Sequence, residues 1–292
     1  MSEILNSRLI LGTVQMGLYY GINNTTGKVS LENSLEILGH AFDNGINTLD
    51  TAEAYGNAHE VIGTFHDENP DKRFKVITKL PNQINNNIVE KVEHYLTDLN
   101  VEQLDTLLFH SFSSYSDNIE RFDILKKLKS DKKIKNLGVS VYTNDEIEEV
   151  LLNDDVDIIQ LPFNIFDNAN LRNGILQKVK FKGKTVHTRS ALLQGLFFKD
   201  TNDQNDIVQK LKKELMLLSE ISKNDKVSIS ELALSYCLQQ EHIDNILIGV
   251  DSISQLMDNI KSVNYKIDSK TVDKINTIKI QNLDLLNPSL WK

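Results

Sequence analysis

The sequence predicts an α/β protein of the (β/α)8 TIM-barrel class with one additional C-terminal helix. Two observations carry this prediction. Short β-branched runs alternate with longer stretches of helical period over almost the whole chain, which is typical of βα units around a parallel sheet. The chain has 292 residues, 40% of them hydrophobic, and eight such units form one barrel at this length. We therefore expect a single domain over residues 1–292.

Eight runs have the length and composition of strands. They are bounded by turn residues and rich in Val, Ile and Leu, as expected of strands buried on both faces of a parallel sheet. The predicted strands cover residues 8–12, 47–50, 75–79, 106–110, 136–140, 158–162, 185–188 and 245–249.

Amphipathic stretches fill the gaps between these runs. The first follows Ser30, a suitable N-cap, carries Leu35 and Phe42 on one face, and ends before Gly45. The last, around residues 272–278, lies beyond the eighth unit and is the additional helix. A doubly wound open sheet is the alternative, but the G-x-G-x-x-G turn that usually accompanies dinucleotide binding in that fold is missing.

Composition excludes several classes of function. The net charge is −9, which disfavours binding to nucleic acid or to an anionic membrane surface. The only cysteine, Cys237, excludes an intramolecular disulfide or a cysteine-based zinc cluster. The segment Met1–Asn6 has no signal-peptide pattern, and no apolar run reaches the roughly 18 residues of a membrane span. We expect a cytoplasmic protein, as a monomer or small homo-oligomer, with no metal.

Four polar side chains stand at or just after the ends of three successive predicted strands. Asp50, Lys79 and His110 close the second, third and fourth strands, and Tyr55 follows Asp50 in the next loop. Because the carboxyl ends of barrel strands form one rim, where active sites lie, we expect these side chains to meet there.

A carboxylate, a phenol, an amine and an imidazole can together deliver a proton to a carbonyl. A phenol has a pKa near ~10, and a neighbouring ammonium such as Lys79 favours the phenolate and lowers that pKa. Asp50 can hold the ammonium, and His110 can hydrogen-bond a carbonyl oxygen as negative charge develops on it. Tyr55 is then the general acid. The structural alternatives are a plain Lys79–Asp50 ion pair and a rim histidine without a catalytic role.

The same residues carry a resemblance to a known family. Residues 47–56, followed by 59–63, resemble the first signature of the aldo-keto reductase family, and residues 77–79 and 107–110 resemble its lysine and histidine strands. The resemblance implies a (β/α)8 barrel and a nicotinamide cofactor, usually NADPH. It implies hydride transfer to an aldehyde or ketone, with Asp50, Tyr55, Lys79 and His110 in the roles given above.

The resemblance also implies which residues bind the cofactor. Ser140 and Gln160 match positions that hold the carboxamide, although Val141 stands where Asn is usual, and Arg189 replaces an aromatic residue that stacks on the nicotinamide. The expected cofactor-binding residues are Gly12, Thr13, Asp50, Ser140, Gln160, Arg189, Ser190, Leu192, Gln194, Gly195, Gly249, Gln255 and Asn259.

The segment from Gly249 to Gln255 bears on the choice between NADPH and NADH. Many family members place Lys or Arg against the 2′-phosphate, whereas this chain offers Gly249, Gln255 and the acidic Asp251. A phosphate without cationic partners binds less well. We expect either NADPH or NADH to serve, with a relaxed preference.

Two questions stay open at the level of sequence. The loop over residues 12–24 can shape a substrate pocket through Tyr19 or Tyr20, or can be a surface loop. The leading function is reduction of a small-molecule carbonyl substrate, sugar-derived on the resemblance of this loop to members from bacterial polysaccharide pathways. The alternatives are a cofactor-binding accessory or sensor protein of the same fold, and a lyase or isomerase in which Lys79 forms a Schiff base.

Overall fold

Eight parallel strands close into a barrel in sequence order, which confirms the predicted (β/α)8 class. The computed structural model describes residues 6–84 and 87–291, so most of the segment on which the signal-peptide expectation rests lies outside the described residues. The strands are β1 (Leu9–Gly12), β2 (Thr48–Asp50), β3 (Lys75–Leu80), β4 (Leu104–Phe109), β5 (Ile134–Ser140), β6 (Ile158–Pro162), β7 (Thr185–Arg189) and β8 (Asn245–Gly249).

The strand register places the predicted rim positions at one end of the barrel. Gly12, the last residue of β1, is paired with Asp50 on one side and with Gly249 on the other. Lys79 is paired with Leu108 on the neighbouring strand β4. The C-terminal ends of the strands therefore form one continuous rim, to which Asp50, Lys79 and Gly249 all contribute.

Helices surround the barrel and follow most of the strands. Between β7 and β8, a short helix ends at Lys210 and a longer one begins at Lys212, with Leu211 between them. The helices are α1 (Val14–Gly17), α2 (Leu31–Asp43), α3 (Ala58–Glu68), α4 (Ile88–Asp98), α5 (Phe112–Ser116), α6 (Phe122–Ser130), α7 (Asn144–Val150), α8 (Ala169–Phe181), α9 (Asp206–Lys210), α10 (Lys212–Asp225), α11 (Ile229–Leu238), α12 (Ile253–Ser262) and α13 (Ser269–Asn276).

Local sequence signals account for several of the helix ends. Ser30 accepts a hydrogen bond from the backbone nitrogen of Asn33 and so caps α2, an interaction that stabilises a helix by about 1 kcal/mol. Gly45, after α2, has φ of 85°, a left-handed value that glycine adopts without steric cost. Asp268 caps α13, the additional C-terminal helix, through the backbone nitrogen of Thr271.

Two apolar layers hold the barrel together. The larger lies between the sheet and the helices, and the smaller fills the barrel interior with Ile10, Ile77, Leu108 and Ile158. Each such side chain stabilises the fold by roughly 1.5–3 kcal/mol when it is fully buried. The interior is thus a packed core, and open space is found at the rim.

No helix within residues 6–84 and 87–291 is both long enough and apolar enough to cross a membrane.

Candidate active site

A buried ion pair joins the ends of β2 and β3. Lys79 donates hydrogen bonds from Nζ to Asp50 Oδ1 and, at 2.9 Å, to the carbonyl oxygen of Thr51. The side chains of Lys79 and Asp50 are only 2% and 3% exposed. The second carboxylate oxygen, Asp50 Oδ2, accepts a hydrogen bond from Gln160 Nε2 at 2.8 Å. Buried charges are tolerated when they are paired and hydrogen-bonded, so both groups are fixed in place.

Tyr55 and His110 complete a cluster around this ion pair. The Tyr55 hydroxyl lies 3.5 Å from Lys79 Nζ, and the ammonium lies 5.1 Å from the centroid of the phenol ring. The ring of His110 meets that of Tyr55 edge to face, with centroids 5.8 Å apart. The structure therefore brings all four predicted catalytic residues together, and their catalytic roles remain predictions.

The position of Tyr55 depends on close packing of its backbone. Its nitrogen donates to the carbonyl oxygen of Ala52 at 3.0 Å, and its own carbonyl accepts from the nitrogen of Ala58 at 3.1 Å. A Cβ atom on Gly17, at the end of α1, would lie 1.7 Å from the carbonyl oxygen of Tyr55. Only glycine allows this approach. The segment after β1 therefore packs directly against the backbone of the loop that carries Tyr55.

The pKa of Tyr55 departs from the sequence-based expectation. Burial, and then the negative charge of Asp50, raise the pKa of the phenol above its ordinary value. The lowering expected from Lys79 does not prevail, because burial disfavours the phenolate and the charge of Asp50 opposes it. Tyr55 is thus a neutral phenol that carries its proton throughout the physiological range.

The imidazole of His110 is neutral as well. Burial, and then the charge of Lys79, lower the pKa of His110 to about 4. A neutral imidazole at pH 7 presents one N–H donor and one acceptor. It can therefore donate a hydrogen bond to a carbonyl oxygen without first releasing a proton.

A cavity of about 460 Å³ opens at the rim beside this cluster. Tyr55 and Asp50 line it, whereas Lys79, His110 and Ser140 do not, so Ser140 is the one expected cofactor residue away from the cavity surface. Twelve of the thirteen expected cofactor-binding residues line it: Gly12, Thr13, Asp50, Gln160, Arg189, Ser190, Leu192, Gln194, Gly195, Gly249, Gln255 and Asn259.

One unsatisfied atom in the cavity fits the implied cofactor. Gln160 is fully buried and donates from Nε2 to Asp50, but its Oε1 has no hydrogen-bond partner within the described part of the chain. A buried acceptor without a partner is costly, and a carboxamide NH₂ is a donor that would satisfy it. The residues present therefore suit a nicotinamide group next to Tyr55.

Arg189 is held in a way that the sequence did not indicate. Its guanidinium carbon lies 4.0 Å from the centroid of the Tyr142 ring, and Nη2 donates to the carbonyl oxygen of Val141 at 3.1 Å. The two departures from the family pattern, at Val141 and Arg189, are thus in direct contact. One face of the guanidinium is covered by Tyr142, and stacking of the other face on a nicotinamide remains a prediction.

The loops after β1 and β7 meet across the cavity. Gln194 Nε2 donates to the Tyr20 hydroxyl at 2.7 Å, and a Cβ on Gly195 would lie 2.7 Å from Cβ of Asn23. Asn24 extends the contact to the loop after β8 through a hydrogen bond to Asp251 Oδ1 at 3.1 Å. The β1 loop therefore bridges the loops after β7 and β8, which carry several of the expected cofactor-binding residues.

The two open alternatives for the β1 loop apply to different residues of it. Tyr20 lines the cavity, whereas Tyr19 is 66% exposed and donates its hydroxyl to the carbonyl of Asn24 at 2.8 Å as an ordinary surface-loop contact. Sequence reasoning missed Gln15 and Tyr142, which also line the cavity. Tyr142 follows the end of β5 by two residues, so the strand-end rule could have found it.

Comparison with known proteins identifies a family model and several relatives to which this chain is similar. The family model described as the Aldo/keto reductase family matches residues 8–280. The chain is 26% identical over 305 residues to the NADH-specific methylglyoxal reductase of Escherichia coli (strain K12), covering 91% of this chain and 92% of the relative. It is also 26% identical to the aldo-keto reductase YhdN of Bacillus subtilis (strain 168), with 93% and 89% covered.

A solved structure has a similar fold. The holo form of aldo-keto reductase AKR11C1 from Bacillus halodurans superposes with a TM-score of 0.77 at 20% sequence identity, over 94% of this chain and 93% of that chain.

Proposed function

The chain belongs to the aldo/keto reductase family, and from that premise we propose that Tyr55 is the proton donor with which it reduces a small aldehyde or ketone. It is an NAD(P)H-dependent carbonyl reductase. The single observation that supports the role of Tyr55 is its position, with the hydroxyl 3.5 Å from the buried Lys79 ammonium and the ring against His110, in the wall of the rim cavity.

Each of the four predicted catalytic residues has a separate role in proton delivery. Bound NADH or NADPH supplies the hydride that adds to the carbonyl carbon. His110 donates a hydrogen bond to the carbonyl oxygen and orients it towards Tyr55. As negative charge grows on that oxygen, the phenol of Tyr55 transfers its proton, and the product is an alcohol.

Lys79 and Asp50 act on Tyr55 rather than on the substrate. The ammonium stabilises the phenolate that forms when Tyr55 gives up its proton. Asp50 fixes the ammonium and also orients Gln160, whose free Oε1 would accept from the carboxamide. The high pKa of the buried phenol suits this order of events, because the proton is released only when a stronger base, the alkoxide, develops beside it.

The cavity also bears on the choice of cofactor. At the β8 side it is lined by Asp251, Gln255 and Asp258, and the one Lys or Arg side chain among the described lining residues is Arg189, which belongs to β7. A 2′-phosphate would meet carboxylates rather than cations there. We propose that NADH serves at least as well as NADPH, and the NADH-specific relative is consistent with this.

The named relatives support a broad class of carbonyl substrates. One relative is a methylglyoxal reductase, another an L-galactose dehydrogenase of Arabidopsis thaliana. We propose small aldehydes and ketones, including sugar-derived ones, as substrates. The cytoplasmic location and a monomer or small homo-oligomer stay predictions from the sequence.

The proposal is tested by following the oxidation of NADH and of NADPH across a panel of aldehydes and ketones that includes methylglyoxal and aldoses. Turnover of at least one carbonyl with NADH, lost in Tyr55→Phe and kept in Tyr265→Phe, is the expected result. Tyr265 is a suitable control because it lies outside the cavity lining. Tight cofactor binding without turnover of any carbonyl would contradict the proposal and favour the accessory alternative.

A further inference from the structure

The half-buried guanidinium of Arg189 uses few of its donors, in contrast to those of Arg172 and Arg8. Arg172 makes a two-point ion pair with Asp167, and Arg8 donates to three backbone carbonyls. Arg189 donates one hydrogen bond, to the carbonyl of Val141, and no carboxylate of residues 6–84 or 87–291 lies within ion-pair distance of it. A guanidinium carries five N–H donors, so most donors of this cavity-lining residue have no acceptor within the described part of the chain.

The protein cannot supply the missing anion without breaking another contact. Asp167 lies within electrostatic reach of Arg189, but both of its carboxylate oxygens already accept from Arg172, at 2.6 and 2.8 Å. The carboxylates of Asp251 and Asp258 belong to the β8 side of the cavity. Arg189 is therefore a half-buried cation that still lacks a counter-ion.

The guanidinium is also rigidly placed. Tyr142 covers one face at 4.0 Å, and the backbone of Tyr142 is in turn clamped, because its carbonyl accepts from Arg172 Nη2 at 2.7 Å and its nitrogen donates to Glu146 Oε2 at 2.6 Å. A guanidinium fixed in this way loses little conformational entropy when it binds a planar anion.

The charge of Arg189 reaches the catalytic groups. Burial and the charge of Lys79 are the larger causes of the low pKa of His110, and Arg189 lowers that pKa further. Tyr55 and Arg189 both line the cavity, so a group bound at Arg189 would share that cavity with the phenol of Tyr55.

We propose that Arg189 is the anion-binding residue of the substrate pocket and that the carbonyl substrate carries a carboxylate or phosphate group. This inference rests on the proposed carbonyl reduction and names the class of substrate. The same chemistry would also suit the pyrophosphate of the dinucleotide, because Arg189 ends β7 and the loop that follows carries expected cofactor-binding residues. The test must therefore separate the two sources of negative charge.

The first arm compares charged and neutral carbonyls of matched shape. para-Carboxybenzaldehyde and succinic semialdehyde are each measured beside their methyl esters, in wild type, Arg189→Gln, Arg189→Lys and the surface control Arg73→Gln. The wild type is expected to prefer the acids, and Arg189→Gln to reduce the acid-to-ester ratio of kcat/KM by roughly 10- to 100-fold, the range for a hydrogen bond to a charged group. The ratio is taken within each variant, so any change in cofactor binding cancels.

The second arm needs no turnover. The enzyme–NADH complex is titrated calorimetrically with benzoate and with benzamide, and the dissociation constant of NADH is measured separately by fluorescence. Benzoate should bind the wild type at least about tenfold more tightly than it binds Arg189→Gln, with benzamide unaffected. This readout stays informative even if no carbonyl of the panel reacts.

Either of two results would overturn the assignment. Equal acid-to-ester ratios and equal benzoate affinities in wild type and Arg189→Gln would show that no anion binds there. A tenfold or larger weakening of NADH binding in Arg189→Gln, with unchanged ratios and benzoate affinity, would assign Arg189 to the cofactor rather than to the substrate.

Discussion

Substitutions of Lys79 and Asp50 should have strongly non-additive effects on the free energy of unfolding. Activity, in contrast, should be lost in both single variants and in the double variant. Lys79→Met leaves the carboxylate of Asp50, which is 3% exposed, without its ammonium, and Asp50→Asn leaves the ammonium of Lys79 at 2% exposure without its carboxylate. Breaking a buried pair from one side costs about 3–5 kcal/mol, because an uncompensated charge stays buried.

The double variant removes both charges and should relieve that penalty. We expect each single variant to lower the free energy of unfolding by about 3–5 kcal/mol, and the double variant to lower it by no more than either single one. The coupling energy between the two positions is then about 3 kcal/mol or more. Turnover should not recover, since the double variant still lacks the ammonium that stabilises the phenolate of Tyr55.

Urea titrations followed by circular dichroism give the four free energies, and NADH oxidation gives the four activities. An additive double variant, with a coupling energy below about 0.5 kcal/mol, would refute the argument that the two charges compensate each other in a dry environment. Recovery of turnover along with stability would show that Lys79 serves only to neutralise Asp50.

Three further predictions concern packing, pH and cofactor choice. Gly17→Ala would place Cβ 1.7 Å from the carbonyl oxygen of Tyr55 and should lower kcat roughly 100-fold by displacing the phenol, whereas Gly174→Ala, with open space around it, should not. Burial lowers the pKa of His187 from 6.5 to about 4, so the unfolded chain binds a proton in that window that the folded chain does not. The free energy of unfolding should therefore fall as pH falls from 6.5 to 4, by up to about 1.4 kcal/mol per pH unit for this group, and urea titrations of His187→Asn should lack that contribution. Gln255→Arg should raise kcat/KM for NADPH relative to NADH by roughly tenfold, as measured from initial rates, by adding a cation to an acidic end of the cavity.

The barrel and its rim could be predicted because both depend on local patterns. Strand runs, their spacing and the rule that strand ends form the active-site rim were enough to place Asp50, Tyr55 and Lys79 in one cluster, although His110 lies just past the end of β4 rather than within it.

The stack of Arg189 on Tyr142 could not be predicted in the same way. It joins side chains from β7 and from the loop after β5, which are separated by β6, so no spacing in the sequence encodes it. The pKa of Tyr55 could not be predicted either, because its direction depends on how completely the phenol is buried, and burial is a property of the folded chain.

The rate of a single turnover in Tyr55→Phe tests the central claim most directly. With enzyme in excess over NADH and a saturating aldehyde, stopped-flow absorbance reports oxidation of the bound cofactor. Removal of the phenolic proton should slow that step by roughly 10²- to 10⁴-fold, while the dissociation constant of NADH stays within about threefold of the wild-type value. A Tyr55→Phe variant that oxidises NADH within a few-fold of the wild-type rate would show that another group delivers the proton.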